Sequence, residues 1–285
     1  MRSTTHDTTI SVPAASARSK GRFATDVGRR LREADGTSHT RALAYQTVFI
    51  MLSGFIGIVG LASVLGLAEV RRTVQHLATS IAPGPSGRLL QEAAQQGASG
   101  GAVVAILGLG AAWISGMFAM AQVQRSADRL ADRGHDEERS GAAKYLRAAL
   151  FAIPVGLLVG LGGLVLAAGA SVIEGFALED SAELVWSIVR WPIGIVLVGA
   201  GLLLMLRVAP TVPLGTPRHR AAGALVALVV WTILTVLLGV YFAMSTTTTR
   251  TYGPLLAVVA LVLWSGLTSL ALHLGIATTV ELERS

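Results

Sequence analysis

Residues 221–249 read AAGALVALVVWTILTVLLGVYFAMSTTTT, with no charged side chain among them. A hydrocarbon core about 30 Å thick is crossed by roughly 20 apolar helical residues, so this run is long enough to span. A helix of a water-soluble protein keeps a polar face over such a length, whereas this one is apolar on every side. Five further stretches, 42–68, 93–124, 148–173, 191–206 and 251–280, also lack Asp, Glu, Lys and Arg. Together they predict an all-α polytopic membrane protein, a bundle of about six transmembrane helices near 43–67, 101–123, 147–171, 188–208, 221–243 and 254–277. The fourth is the shortest, bounded by Arg190 and Arg207.

Composition agrees. Apolar residues make up 52% of the chain and charged residues 14%, with a mean hydropathy of +0.61. Soluble domains carry roughly 25% charged residues, so this chain has too little polar surface for a globule of its size. It has no cysteine, which excludes disulfides, zinc ribbons and thiol nucleophiles. Arginine outnumbers lysine about tenfold beside abundant Ala, Gly and Val, a bias that suggests a GC-rich bacterial genome. The net charge of +6 suits anionic lipid headgroups at a cytoplasmic face, and its placement argues against a nucleic-acid partner.

Charge placement also gives a direction. Eight basic residues precede the first span (Arg2, Arg18, Lys20, Arg22, Arg29, Arg30, Arg32 and Arg41). The second loop carries Arg125, Arg129, Arg133, Arg139 and Lys144, with Arg147 at its edge, and the fourth carries Arg218 and Arg220 near Arg207. The first loop has Arg71, Arg72 and Arg88, the third none before Arg190, and the fifth Arg250. The positive-inside rule then puts both termini and loops two and four in the cytoplasm of a multi-pass inner-membrane protein. Residues 1–40 lack any sustained apolar run and are expected to form a disordered basic tail before the membrane domain of 41–285. Without an apolar signal region in that tail, the first span is expected to act as an uncleaved anchor.

Two connections carry more detail. In 70–96, Val70, Val74, Leu77 and Ile81 recur at helical spacing, Pro83-Gly84-Pro85 interrupts, and Leu89, Leu90, Ala93 and Ala94 suggest a second short helix. This reads as an amphipathic hairpin in the headgroup region, or equally as a loop packed on the outer ends of the bundle. In 125–136, Arg125, Arg129 and Arg133 alternate with Asp128, Asp132 and Asp136. Each Arg is expected to face the Asp three residues on, along a water-exposed extension of the second span.

Catalytic chemistry finds no foothold. No GxxxxGK[ST] phosphate loop or HExxH motif occurs, and the six histidines show no metal-ligand spacing, so neither an enzyme nor a cofactor is expected. The span glycines suit close helix approach, and Gly156-x-x-x-Gly160 fits the small-xxx-small pattern. Polar groups at membrane depth are the better pointers, because lipid disfavours them. Arg190 either snorkels to its own interface, as Arg207 would, or points into an outer cavity opposite Glu174, Glu179, Asp180 or Glu183. His273 lies deep in the last span, where a hydrogen bond between helices is the plainer reading. Tyr45, Gln46 and Trp264 read as path-lining residues or interface anchors. Tyr45, Arg190, Arg207, Tyr252 and His273 are the candidates for a pathway or cavity. Pro154 and Pro192 are candidate hinges, since each removes a helix hydrogen bond.

Several segments, in order, resemble the YihY/BrkB family of bacterial inner-membrane proteins, once labelled ribonuclease BN. They are Arg41-Ala42-Leu43-Ala44-Tyr45, Arg207-Val208-Ala209-Pro210, Arg218 with Ala222-Gly223-Ala224, Tyr241-Phe242, Tyr252-Gly253-Pro254-Leu255 and Leu263-Trp264. The likeness covers roughly 40–280. Two positions depart from the family's pattern: Ala277 stands where the family commonly has an acidic residue, and Gln46 where a second aromatic is common. The resemblance implies six helices, an inner-membrane location and an envelope-related role, with no agreed activity. Six glycine-rich spans with buried polar residues favour an ATP-independent translocator of an envelope lipid or amphiphilic metabolite. The alternative is a non-catalytic scaffold for envelope assembly, with an oligomer open to either. A nuclease would need clustered acids or a basic-aromatic surface, and the sequence has neither.

Overall fold

The computed structural model describes residues 25–29, 36–68, 71–72, 74, 85–132, 141–167, 180–211, 213–244 and 246–284. Seven helices of eight residues or more lie among them: α1 (Gly36–Val64), α2 (Ser86–Ser99), α3 (Gly101–Leu130), α4 (Gly141–Ala167), α5 (Asp180–Val208), α6 (Pro217–Met244) and α7 (Thr246–Glu283). All but α2 are long and apolar enough to cross a membrane. The six spans agree with the charge-free stretches. The fourth is longer than expected, because its helix runs on past Arg190 to a span of Val185–Val208.

The spans form a ring in the order α1, α3, α4, α5, α6, α7, closed by α7 against α1. The α1–α3 seam is the most extensive and the α5–α6 seam the slightest. α7 also touches α3 across the ring, and it is the most enclosed span, with 39% of its apolar window buried against 11% for α5. Large apolar side chains such as Phe49, Ile106, Leu150, Val196, Leu225 and Leu255 face outward, as lipid contact requires. Two apolar clusters fill the interior. One, toward the end carrying Arg41, Arg125 and Arg207, joins Leu43, Met120, Leu130, Leu206, Leu214 and Ile276. The other, toward the α2 end, joins Phe55, Val59, Leu90, Leu238, Phe242 and Trp264.

The α1–α3 seam is close because glycine meets glycine. A Cβ added to Gly108 would stand 2.8 Å from Gly57 Cα and 3.0 Å from the Ser53 carbonyl oxygen, so only the absence of a side chain allows these backbones to meet. α4 and α5 pair in the same way, Gly162 lying against Val198 and Gly201 against Leu158 and Val159. The Gly156-x-x-x-Gly160 pattern does not serve this purpose: both residues are exposed, with open space where a Cβ would be. The spacing was right, but these two positions lie on the outer face of α4.

Helix ends follow local chemistry. α1 stops at a Schellman turn: Gly66 has φ +69°, its N–H donates to the Ser63 carbonyl at 3.3 Å, and the Leu67 N–H donates to the Ala62 carbonyl at 2.8 Å. α6 starts with Pro217 behind Thr216, whose hydroxyl accepts the His219 N–H at 3.4 Å while His219 Nδ1 accepts the Thr216 N–H at 3.5 Å.

Three expectations are refined. The second arm of the 70–96 connection is a helix packed on α1 and α7, with Leu90 and Ala94 fully buried, which agrees with the reading of a segment packed on the ends of the bundle. Of the first arm only 71–72 and 74 are described, and Val74 joins the same cluster; Pro83 and Gly84 lie outside the described residues. The boundary expected at residue 40 falls inside α1, and Val27, in the short helical segment 25–29, packs into the cluster around Leu43; residues 1–24 lie outside the described residues.

Replacing Gly57 or Gly108 with Ala should lower the stability of the detergent-solubilised protein by about 1–3 kcal/mol, the usual cost of overpacking. Gly110→Ala, with open space at the Cβ position, should change it by under about 0.5 kcal/mol. Thermal unfolding of the three variants compares them directly.

Candidate functional site

Ser265, Ser269 and His273 stand four residues apart on α7, a spacing that puts them on one helix face over about 12 Å. All three point inward, at 0%, 1% and 0% exposure. Trp264 and Leu261 of the α2-end cluster lie at one end of this face, and Ile276 and Ala277 of the other cluster lie beyond His273. The polar face thus occupies the interior between two apolar plugs.

Its hydrogen bonding is uneven. Thr268, Thr278 and Thr279 return their hydroxyls to the carbonyls of Trp264, Leu274 and Gly275, at 2.9, 2.8 and 3.0 Å. Ser265 and Ser269 do not: both Oγ atoms are buried with no hydrogen-bond partner. His273 Nδ1 lies 2.8 Å from the Ser269 carbonyl, to which it donates, so in a neutral ring Nε2 is the acceptor. Beside this face, α6 and α7 are fastened by two reciprocal bonds. Trp231 Nε1 donates to Thr268 Oγ1 at 3.1 Å, and Trp264 Nε1 donates to Thr235 Oγ1 at 3.3 Å. Trp264 is therefore an internal fastening and not an interface anchor.

The four pathway candidates whose side chains are described, Tyr45, Arg190, Arg207 and His273, do not converge. Tyr45 is 58% exposed near the start of α1, and Arg207 is exposed at the end of α5. Arg190 lies on α5 about 25 Å from Arg207 along the helix axis. Arg190 is half-buried, its guanidinium 5.6 Å from the Trp191 ring centroid and its Nε buried without a hydrogen-bond acceptor. Glu174 and Glu179 lie outside the described residues, as do the side chains of Asp180, Glu183 and Tyr252. Among the described candidate side chains, only His273 is fully buried. α4 and α5 run on as helices through Pro154 and Pro192. Pro154 leaves the Leu150 carbonyl without its helix donor, and next to it Trp113 Nε1 donates to the Ala149 carbonyl at 3.0 Å.

A second polar group sits at the basic end. Asp128 accepts the Thr211 N–H at 3.0 Å and the Thr211 hydroxyl at 2.7 Å, while Gln124 Nε2 donates to that hydroxyl at 2.9 Å. Arg284 reaches Asp132 at 2.7 Å and the Ala131 carbonyl at 3.0 Å. Asp132 stands at φ 53°, a left-handed turn that Asp tolerates. For Arg125 the expected pairing with the Asp three residues on is not what forms. Arg125 instead holds Gln122 Oε1, and the extension of α3 is two-sided: Ser126, Ala127 and Leu130 are buried while Arg129 and Asp132 are exposed. The Asp side chains tie α3 to the α5–α6 loop and to the end of α7. Arg133 and Asp136 lie outside the described residues.

Among the described residues no three His, Asp or Glu side chains cluster to hold a metal. The whole of this architecture, from Val27 in its short helix to the last turn of α7, coincides with residues 27–285, which match the family model described as Virulence factor BrkB. The chain belongs to the BrkB family. The resemblance carried by the Ala-Leu-Ala-Tyr entry and the Tyr-Gly-Pro-Leu and Leu-Trp segments is thereby established over almost its full length. No curated protein and no solved structure matches this BrkB-family chain.

Sequence reasoning singled out His273 but missed the two serines and the Asp128 clamp. A polar residue at positions i, i+4 and i+8 of an uncharged span was the available signal for the first; nothing local marks the second, whose partners are 83 residues apart. Thr211→Val should destabilise the protein by about 1–3 kcal/mol, because it removes the hydroxyl that donates to Asp128 and accepts from Gln124 and leaves only the backbone N–H on the carboxylate. In a double-mutant cycle, Asp128→Asn with Thr211→Val should then cost less than the sum of the single changes.

Proposed function

We propose that this BrkB-family chain is an ATP-independent translocator of an envelope lipid or amphiphilic metabolite in a bacterial inner membrane. In this reading both chain ends are cytoplasmic, since the basic end carries Arg41, Arg125, Arg129, Arg207 and Arg220. The observation that carries the proposal is the slight α5–α6 seam beside an interior with polar groups. A Cβ added to Gly199 of α5 would come no nearer to α6 than 4.0 Å, from Leu228 Cδ1. A Cβ on Gly162 of α4, by contrast, would stand 2.8 Å from Val198 N of α5. The closely paired α4 and α5 are thus one mechanical unit, held to α6 lightly. Rocking of that pair opens a lateral slot through which a headgroup passes while its chains stay in lipid, as in rigid-body alternating access.

Other residues fit roles in this motion. Pro154 and Pro192 lie one on each helix of the pair, where a missing helix hydrogen bond softens bending. Arg190, half-buried with a free Nε, suits an anionic headgroup at the far end of the slot. The chain's own residues supply no nucleotide-binding loop, so the driving force is a gradient or the lipid's own distribution.

The absence of cysteine makes a direct test available. Gly199→Cys with Leu228→Cys, joined by a short bis-maleimide in proteoliposomes, should stop transbilayer movement of a fluorescent phospholipid that the unjoined protein supports. Movement that persists after joining, or no movement by the wild-type chain above that of protein-free vesicles, would refute the proposal.

A further inference from the structure

Two buried hydroxyls without partners are costly in a native interior, and such groups commonly bind water that the protein encloses. Ser265 and Ser269 are such a pair. They lie on the same face as an imidazole whose Nδ1 is committed to the Ser269 carbonyl, which turns Nε2 toward the interior. Their neighbours Thr268 and Thr279 show that a hydroxyl on this helix can satisfy itself by bonding back one turn. The serines do not take that option, so their oxygens remain available to a guest small enough for a sealed space.

We propose that Ser265, Ser269 and His273 line an enclosed, hydrated proton-binding site in the BrkB-family bundle. Water held by the serine hydroxyls delivers a proton to Nε2 of the neutral imidazole. The imidazolium that forms keeps its Nδ1–H on the Ser269 carbonyl, and the proton leaves by the same water. No other bond changes.

His273 is the titratable group of this face. Of the helices packed on α7, α1 has no charged residue between Arg41 and its end, α3 none before Arg125, and α6 none after Arg220. α2 contributes Arg88 and Glu92, both exposed at the opposite end, and on α7 itself Glu281 lies two turns toward the basic end. The site stands on this geometry alone. A role as the coupling ion of translocation is a separate step that rests on the function proposed above.

The test uses the full chain in lipid nanodiscs with 15N-labelled histidine, and asks for no substrate. One imidazole signal, absent from His273→Gln, should pass from the Nδ1-protonated neutral form to the doubly protonated form as pH is lowered. The Ser265→Ala/Ser269→Ala double variant should shift that titration and unfold at a lower temperature, because it loses the enclosed water. If His273→Gln does not insert, replacing the other five histidines with Gln leaves His273 as the sole signal. A His273 ring fixed in one neutral tautomer throughout, or a double variant that is more stable with unaltered titration, would overturn the proposal. Titration without lipid movement would keep the site and reject the translocator; lipid movement with a fixed ring would do the reverse.

Discussion

In hydrocarbon a hydroxyl or imidazole has no water to bond, so a span that carries such groups must turn them toward protein. α7 obeys this constraint most fully. Its Ser265, Ser269 and His273 are enclosed, and the helices around it are arranged so that they can be. α6 lies against it through two Trp–Thr bonds and through Gly223, where a Cβ would collide with the Gly275 carbonyl and the Thr279 hydroxyl. α1 and α2 cover the other side, and α3 reaches it across the ring. The close glycine crossing of α1 and α3 draws these covering helices together and so belongs to the same design.

Away from α7 the packing is uneven, and the unevenness has physical meaning. Fully apolar spans gain nothing from association by the hydrophobic effect, because lipid tails are as apolar as leucine, so contact depends on small residues and polar bonds. The α1–α3 and α4–α5 pairs have glycine at their crossings; α5–α6 has only Gly199 near one leucine methyl. The bundle therefore has a firm part around α7 and a pair of helices, α4 and α5, held lightly on its α6 side. At the basic end Asp128, Thr211 and Gln124 restrain that pair's exit loop, and Arg284 fastens the end of α7 to the same extension of α3.

The spans were legible because charge exclusion over twenty residues is a one-dimensional property, set by the membrane and not by the partner helices. The continuation of α3 past Arg125 was legible in the alternating charges, but the packed neighbour that Ser126, Ala127 and Leu130 find there was not. Which glycines meet is a matter of helix rotation. Gly156 and Gly160 have the expected spacing and face outward, while Gly57 and Gly108, on different helices, share no pattern that the chain order reveals. Among the site candidates His273 was readable as a polar residue at depth. Arg190 and Arg207 were readable as span boundaries, and Arg207 is one; Arg190 lies inside a longer helix. The Asp128–Thr211 clamp needed the fold, since local spacing offered each Asp a nearer arginine.

An α7 that presents a hydrated polar face to the middle of the bundle holds water that a structure in lipid, at a resolution sufficient for ordered water, would reveal. Water density is expected within hydrogen-bond distance of Ser265 Oγ and Ser269 Oγ, enclosed by α1, α3 and α6. A dry interior packed against these hydroxyls, or an α7 rotated so that Ser265 and Ser269 meet lipid, would contradict it.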